Sequence, residues 1–237
     1  MMTVNAMALQ ASSAAASAVV FDPTLPIPRP AGHLASAEAF GQNQRNRRST
    51  ILASIRRLLT DEGYEGVTVR RVAECSGHAV QTIYNLVGPR DLAITEAVTE
   101  YSQYVCLTAT PNPADPFASV AMIDRELKSI EVRPEFCRNV CNIYFTESRG
   151  IFYDFRARQT KMLHSFLVQQ QKSGVIRHGV DTRSMAENFM MFMGQIFVEW
   201  ADFSLPMDQL KQRLYAGYYS MMAEAIVPSA RRNELGT

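Results

Sequence analysis

Apolar residues recur from about residue 45 onward at the three- and four-residue spacing of an α-helix. In the first such segment they are Ile51, Leu52, Ile55, Leu58 and Leu59. Gly63 follows at a position where helices commonly end, because glycine adopts a left-handed conformation without strain. The pattern therefore predicts a first helix that begins near Arg45 and ends near Gly63.

Two short helices are predicted next. Thr68 is a suitable N-cap for a helix over residues 69–75, and residues 76–78 read Ser-Gly-His, a tight turn. A third helix is predicted over residues 79–86, before the Gly-Pro pair at 88–89 breaks the chain. Two short helices joined by a three-residue turn that contains glycine are typical of a helix-turn-helix.

The rest of the chain also shows helical spacing, and no stretch shows the alternation of a strand. The further helices are predicted over 90–105, 117–130, 134–148, 151–172, 182–203 and 207–226. The fold class is therefore all-α, with an N-terminal three-helix helix-turn-helix domain and a larger C-terminal helical domain.

The domain boundaries follow from composition. Residues 1–43 are rich in Ala, Ser and Pro, which predicts a disordered or extended N-terminal arm. Residues 44–92 form the helix-turn-helix domain, residues 93–228 the larger helical domain, and residues 229–237 a tail.

The third helix has a polar side that suits the major groove. Ile83 and Leu86 can point inward, which leaves Ala79, Val80, Gln81, Thr82, Tyr84 and Asn85 on the outer side. The amides of Gln81 and Asn85 could pair with adenine, and Val80 could contact a thymine methyl group. Thr82 and Tyr84 suit phosphate oxygens, which position the protein without specifying sequence.

The net charge of the whole chain is only +1, so any contact with DNA must be local. Residues 44–92 contain eight basic and five acidic residues, which gives this segment a net charge of +3 and the rest of the chain −2. The candidate DNA-binding residues are Arg45, Arg47, Arg48, Thr68, Arg70, Ala79, Val80, Gln81, Thr82, Tyr84, Asn85 and Arg90. Arg71 also belongs to the basic group that flanks the third helix.

The run GVTVRRVAECSGHAVQTIYNLVGPRDL, residues 66–92, resembles the DNA-binding domain of the tetracycline-repressor (TetR) family of bacterial transcription regulators. The matching positions are Thr68, Val69, Val72, Ala73, Gly77, Thr82, Ile83, Tyr84, Val87, Arg90 and Leu92. The resemblance implies that the third helix reads bases and that Thr82, Tyr84 and Arg90 contact phosphates. It also implies a transcription regulator in which residues 93–228 form the helical ligand-binding, regulatory and dimerisation domain. Such a regulator is most simply a repressor that a small-molecule inducer releases from its operator.

Three positions depart from the family pattern. Ala79 stands where a polar residue usually caps the recognition helix, Leu86 replaces a frequent His or aromatic residue, and His78 stands where an apolar residue usually packs. The missing cap and phosphate contact leave the operator affinity open. We expect His78 to be a partly exposed turn residue rather than a ligand.

Residues 185–203 are apolar on nearly all sides, which predicts burial against both the protein's own core and a second subunit. A two-fold dimer predicts a palindromic operator. The candidate residues of a pocket for a lipophilic ligand are Tyr144, Phe145, Phe155, Phe166, Phe189, Met190, Met193, Phe197 and Trp200. For each of these residues taken alone, ordinary core packing is the favoured explanation.

The remaining chemistry-bearing residues show no further motif. Cys137 and Cys141 are spaced for a metal or redox pair, but no further ligands follow, so no metal and no cofactor are expected. The histidines join no catalytic pattern, so we do not expect an enzyme. An enzyme on a helical scaffold, or a ligand-independent DNA-binding protein, is the alternative function. Irregularly spaced cysteines, and no basic residue before Arg29, favour a soluble, cytoplasmic protein rather than an exported or membrane protein.

Overall fold

The computed structural model of the protein describes residues 21–28, 41–107 and 111–227. The α-helices in these ranges are α1 (Gln42–Gly66), α2 (Val69–Ser76), α3 (Val80–Val87), α4 (Arg90–Leu107), α5 (Ala118–Val132), α6 (Pro134–Asn142), α7 (Gly150–Lys172), α8 (Thr182–Ala201) and α9 (Met207–Ala225). Within the same ranges, extended backbone pairs only at one isolated bridge, between Ile176 and Ile226. The all-α prediction is confirmed.

The helix predicted over 134–148 is shorter than expected. It ends at Asn142 and continues only as a 3-10 turn over Ile143–Phe145. Thr146 then takes an extended backbone conformation, and its hydroxyl donates a 2.8 Å hydrogen bond to the carbonyl of Ile143. This local bond of a threonine side chain to the backbone competes with continuation of the helix.

Helix α1 is interrupted near its end by a glycine. Gly63 has φ 72° and ψ −171°, a combination that is essentially restricted to glycine. The helical turn after it brings Tyr64 and Val67 into the core of the N-terminal helices. The predicted end of the first helix therefore coincides with the break in regular helical geometry.

The turn between α2 and α3 depends on Gly77, which has φ 69° and ψ 22° and ends α2 in the left-handed conformation. The side chain of Thr68 begins α2 by accepting a 3.2 Å hydrogen bond from the backbone N–H of Arg71. The two helices thus form the predicted helix-turn-helix.

Residues 21–28, hereafter the strap, are packed against α1 and α4. Phe21 is only 5% exposed, and the fully buried Arg56 donates hydrogen bonds of 2.6 and 3.0 Å to two carbonyl groups of the strap. Tyr101 donates a third, of 2.9 Å, to the carbonyl of Phe21. The prediction of a disordered or loosely attached arm is therefore wrong for the strap, because a buried guanidinium must find acceptors and the strap supplies them. The rest of the predicted arm up to residue 40, and the tail 229–237, lie outside the described residues.

The described helices enclose two groups of buried side chains, one among α1–α4 and one among α5–α9. Helix α6 lies between them: Phe136 belongs to the first group and Cys141 to the second. On its α1 side, Asn139 donates a 2.8 Å hydrogen bond to the carbonyl of Leu59. Helix α6 therefore connects the N-terminal helices to the larger helical domain. None of the helices in the described ranges is both long and apolar enough to cross a bilayer.

Candidate DNA-binding surface and ligand cavity

Helix α3 separates its side chains cleanly into an inner and an outer set. Ile83 and Val87 are 1% and 5% exposed and fix the helix on α1 and α2. The exposed side, hereafter the recognition face, consists of Val80, Gln81, Tyr84 and Asn85. Val80 and Tyr84 are 44% and 46% exposed, although both are large enough to be useful in a core.

The two amides of the recognition face contact each other. Gln81 Nε2 donates a 3.0 Å hydrogen bond to Asn85 Oδ1, one helical turn away. Thr82 and Leu86 flank the face and are half-buried, and Leu86 packs against the core as predicted. His78, in the turn before α3, is half-buried, as expected for a turn residue.

The N-terminus of α3 has no side-chain cap. Ala79 occupies the N-cap position with an extended backbone, φ −64° and ψ 146°, but a methyl group cannot accept a hydrogen bond. The first backbone N–H groups of α3 are therefore left without a side-chain acceptor at this position. The missing cap inferred from the sequence is confirmed.

Some of the predicted basic residues point to solvent near the recognition face. Arg47 is exposed on the first turns of α1, and the side chain of Arg70 is 89% exposed at the start of α2. Arg45 is half-buried, with its Nη2 3.3 Å from Oε1 of Gln42. Arg47 and Arg70 are thus the members of the set best placed for a phosphate.

Arg48 and Arg90 are engaged within the chain instead. Arg48 Nη2 lies 2.9 Å from a carboxylate oxygen of Glu96 on α4. Arg90 lies 3.9 Å over the centre of the Tyr64 ring and donates hydrogen bonds to the carbonyls of Tyr64 and Val67. These two arginines hold α1 against α4, so their placement does not support the phosphate contacts predicted for them.

Acidic neighbours also reduce the positive charge at α2. Arg71 makes ion pairs with Glu62 and Glu74, the latter at 2.9 Å, and Arg70 Nε lies 3.3 Å from Glu74. Sequence counting gave this segment a surplus of positive charge but could not show which charges are paired. A DNA phosphate must therefore compete with carboxylates of the protein itself for the side chains of Arg70 and Arg71.

A cavity of about 150 Å³ lies between α4, α5, α6, α7 and α8. Five of the predicted pocket residues line it: Phe155, Phe189, Met190, Met193 and Phe197. They lie on α7 and α8, whose apolar sides the sequence pattern had identified. A pocket in the larger domain is therefore present where the sequence placed it.

The other four predicted pocket residues do not line the cavity. Trp200 and Phe166 are 1% and 8% exposed and belong to the core. Tyr144 and Phe145 stack edge to face beyond the end of α6, with ring centroids 5.3 Å apart. Aromatic content alone could not separate these positions, because core and cavity walls have the same composition.

The prediction missed the polar lining of the cavity, which includes Ser102, Glu126, Arg156 and Gln159. A signal for Glu126 was present in the sequence. It lies three residues after Ile123 and directly before Leu127, both of which are buried, so it shares the apolar side of α5. A lone acid within an apolar helical stripe is the pattern that would have found it.

The ionisable groups of the cavity are affected by burial. Burial raises the pKa of the Glu126 carboxyl to about 7. It also raises the pKa of the thiols of Cys106 and Cys137, and that of Cys141 to about 12. The thiols are therefore protonated at neutral pH, which makes them poor metal ligands and poor nucleophiles. In the part of the chain that is described, no group of three or more His, Cys, Asp or Glu side chains is placed to hold a metal ion.

Comparison with known proteins shows similarity in three-dimensional structure. Neither a protein-family model nor a curated protein matches the chain. A structure described as a TetR-family transcriptional regulator from Rhodococcus sp. is 18% identical, with a TM-score of 0.55 over 75% of this chain and 99% of that one. Another, from Mesorhizobium loti, is 15% identical, with a TM-score of 0.57 over 79% and 100%. The chain has the TetR-family fold.

The fatty acid degradation regulator FadR from Bacillus halodurans is similar in the same way, at 12% identity and a TM-score of 0.54 over 74% of this chain and 94% of that one. At such identities the likeness establishes the TetR fold alone. What this chain binds must be argued from its own recognition face and cavity.

Proposed function

We propose that this protein is a DNA-binding transcription regulator of the TetR type, and that it acts as a dimeric repressor that a small lipophilic ligand releases from its operator. The observation that supports DNA binding best is the recognition face itself. Buried Ile83 and Val87 hold α3 rigidly, while two amides, a valine and a tyrosine face outward from a helix-turn-helix. That is the arrangement that base reading in a major groove requires.

Each residue of the recognition face has a chemical role in this proposal. Gln81 and Asn85 exchange their mutual hydrogen bond for bonds to adenine, and Val80 contacts a thymine methyl group. Tyr84 and Thr82 contact phosphates, which fix the register of α3 on the duplex. The exposed Arg47 and Arg70 add charge-assisted phosphate contacts on either side.

The dimer is proposed from an apolar surface on α8 and α9. Met191 and Phe192 of α8 are 54% and 38% exposed. The Phe192 ring lies directly over Gly217 of α9, where a Cβ atom would come within 2.1 Å of it, so the two helices pack closely and present a shallow surface. A second copy of this surface can cover it about a two-fold axis, which places two recognition helices on an inverted repeat.

Helix α6 offers a route from ligand to DNA. Cys137 and Cys141 line the cavity, while Asn139 is bonded to the carbonyl of Leu59 near the end of α1. A ligand that widens the cavity displaces α6 and, through Asn139, the helices that carry the recognition face. Ligand binding then favours a spacing of the two recognition helices that does not fit the operator.

The test is selection of the purified protein on randomised DNA duplexes at near-physiological salt, followed by sequencing of the retained DNA. We expect enrichment of an inverted repeat whose halves are about one helical turn apart. Retention of unrelated sequences would point to a ligand-independent, non-specific DNA-binding protein. Retention of none would contradict the proposal, provided that the sample is first unfolded and refolded to remove any bound ligand.

Two variants separate reading from positioning. Gln81→Ala should relax the preference at one base pair of each half-site by about 1–3 kcal/mol, because it removes an amide from a base edge. Tyr84→Ala, the matched control on the same face, should weaken binding about equally on all sequences. If Gln81→Ala instead weakens every sequence equally, Gln81 does not read a base.

A further inference from the structure

The cavity contains a single acidic side chain among the residues that line it, Glu126 of α5. The surrounding walls are mostly apolar: α8 contributes Phe189, Met190, Met193 and Phe197, and no ionisable group. Glu126 is half-buried, and apolar walls disfavour the ionised form of a carboxyl group because they exclude part of the water that would solvate the charge. An ionised carboxylate at this position destabilises the folded protein unless a cation lies beside it. We therefore looked for a cation that pairs with Glu126.

No partner for Glu126 exists within the described part of the chain. Its carboxylate makes neither an ion pair nor a side-chain hydrogen bond there. The one cation among the residues that line the cavity, Arg156, lies over the rings of Tyr153 and Phe152, 5.2 and 5.9 Å from their centres. Burial alone accounts for the raised pKa of Glu126, with no opposing cation.

We propose that the cavity binds a small apolar amine whose ammonium group pairs with the carboxylate of Glu126, which deepens the proposed function by naming the class of its ligand. The apolar part of the molecule fills a space of about 150 Å³, similar to apolar cavities that hold a benzene ring. The ammonium supplies the counter-charge that Glu126 lacks, since the one cation of the lining, Arg156, lies over the rings of Phe152 and Tyr153. An acid would instead place two like charges together.

The thiols of the cavity do not offer a competing chemistry. Cys106, Cys137 and Cys141 all lie near Glu126, and each remains a neutral thiol because burial raises its pKa. They therefore neither neutralise an ammonium nor attack an electrophile at neutral pH. The carboxylate is the group that distinguishes one class of ligand from another.

Binding of such an amine has a defined dependence on pH. The ionisable groups that face Glu126 are Tyr101 and Cys106 from α4, Cys137 and Cys141 from α6, and Arg156 from α7. Burial raises the pKa of Tyr101 and of the thiols far above neutrality, and an arginine stays charged. Between pH 6 and pH 8, therefore, Glu126 is the group of the cavity that changes its charge.

The experiment follows the methyl signals of ¹³C-labelled methionines by NMR during titration of the full chain. Met122, Met162, Met190 and Met193 line the cavity and report binding directly. Three probes of nearly equal shape are compared: 2-phenylethylamine, the neutral propylbenzene and the anionic 3-phenylpropanoate. Glu126→Gln removes the carboxylate, and Glu131→Gln, an exposed position on the same helix that pairs with Lys211, is the matched control.

We expect Glu126→Gln to weaken binding of the amine at pH 8 by about tenfold or more, because it removes one partner of a buried ion pair. It should change the affinity for propylbenzene less than twofold and strengthen binding of the acid, while Glu131→Gln changes none of the three. Binding of the amine to the unmodified protein should tighten about tenfold from pH 6 to pH 8, because an alkylammonium stays protonated across that range.

The proposal is overturned if the amine fails to shift the methionine signals, if Glu126→Gln leaves its affinity unchanged, or if the acid binds more tightly than the amine. None of these results depends on DNA. Selection of an inverted repeat can succeed while amine binding fails, and the reverse, so the ligand class and the regulatory function are tested separately.

Discussion

At the scale of single residues, Glu126 has a consequence for stability that does not require a ligand. Its pKa in the folded protein is about 7, above the ordinary value of 4.5. The unfolded chain therefore releases this proton at a lower pH than the folded protein does. By linkage, the free energy of unfolding falls as the pH rises from about 4.5 to about 7, and the loss persists above that range.

Glu126→Gln should remove this loss, since an amide is uncharged at every pH. The variant should gain stability relative to the unmodified protein. This gain in the free energy of unfolding should be larger at pH 8 than at pH 5, by up to about 3 kcal/mol. Urea denaturation at the two pH values measures the difference, and Glu131→Gln serves as the surface control. A gain that is the same at both pH values would mean that Glu126 is ionised as easily in the folded protein as in water.

The residues of the recognition face were accessible to sequence reasoning, whereas the arginines were not. Helical spacing from Ile83 is enough to place Gln81, Tyr84 and Asn85 on the outer side. The direction of Arg90 depends on Tyr64, 26 residues earlier, which meets it only after α1 and α4 have packed. The partners of a long flexible side chain depend on tertiary packing. They cannot be predicted from the spacing of residues along one helix.

At the scale of elements, α3 begins without a side-chain cap. Ala79 already has the extended backbone of an N-cap residue, so only the side-chain acceptor is missing. The neighbouring α2 shows the complete arrangement, with Thr68 accepting a hydrogen bond from the N–H of Arg71. The N-cap residue of α2 thus has a side-chain oxygen that accepts a hydrogen bond, whereas the N-cap residue of α3 has none.

Ala79→Ser should supply that atom. We expect the free energy of unfolding to increase by about 0.5–2 kcal/mol, the usual value of an N-cap, and the affinity for the selected operator to increase with it. Thermal denaturation and DNA titration measure the two effects. The reciprocal control, Thr68→Ala, should destabilise α2 by a similar amount; an unchanged stability in Ala79→Ser would mean that the first turn of α3 is already satisfied by another acceptor.

Helix positions were predicted well because most helices begin and end at residues with a local reason to do so. Gly63, Gly77 and Gly88 adopt positive φ at the ends of the first three helices, and Pro134 begins α6. The strap escaped prediction because its order comes from Arg56 and Tyr101, which bond to its carbonyl groups from distant helices. The pattern of side chains in a sequence does not show which backbone carbonyl groups accept hydrogen bonds from distant residues.

At the scale of the whole molecule, the exposed apolar surface of α8 and α9 is the surface through which we propose that two chains associate. Larger exposed apolar patches on soluble proteins commonly mark interaction sites, and this one is formed by two helices that pack closely at Gly217. The apolar character of residues 185–203 was evident in the sequence, but which of these residues remain uncovered by the chain itself required the packed structure.

Met191→Arg should convert the dimer into a folded monomer, because it places a charge in the centre of the proposed interface while removing no core contact. Met191 is 54% exposed in the single chain. Val132→Arg, at an exposed apolar position at the end of α5, is the control and should remain a dimer. Sedimentation analysis distinguishes the two states, and a Met191→Arg variant that stays dimeric would place the interface elsewhere.

The strap also determines an order of events during synthesis. The carbonyl of Phe21 is bonded to the hydroxyl of Tyr101, 80 residues further along the chain. At the usual ribosomal rate of about 5–20 residues per second, this partner is made roughly 4–16 s after Phe21. The residues of α1, α2 and α3 are all synthesised before Tyr101, so this hydrogen bond of the strap forms only after the whole helix-turn-helix has been made.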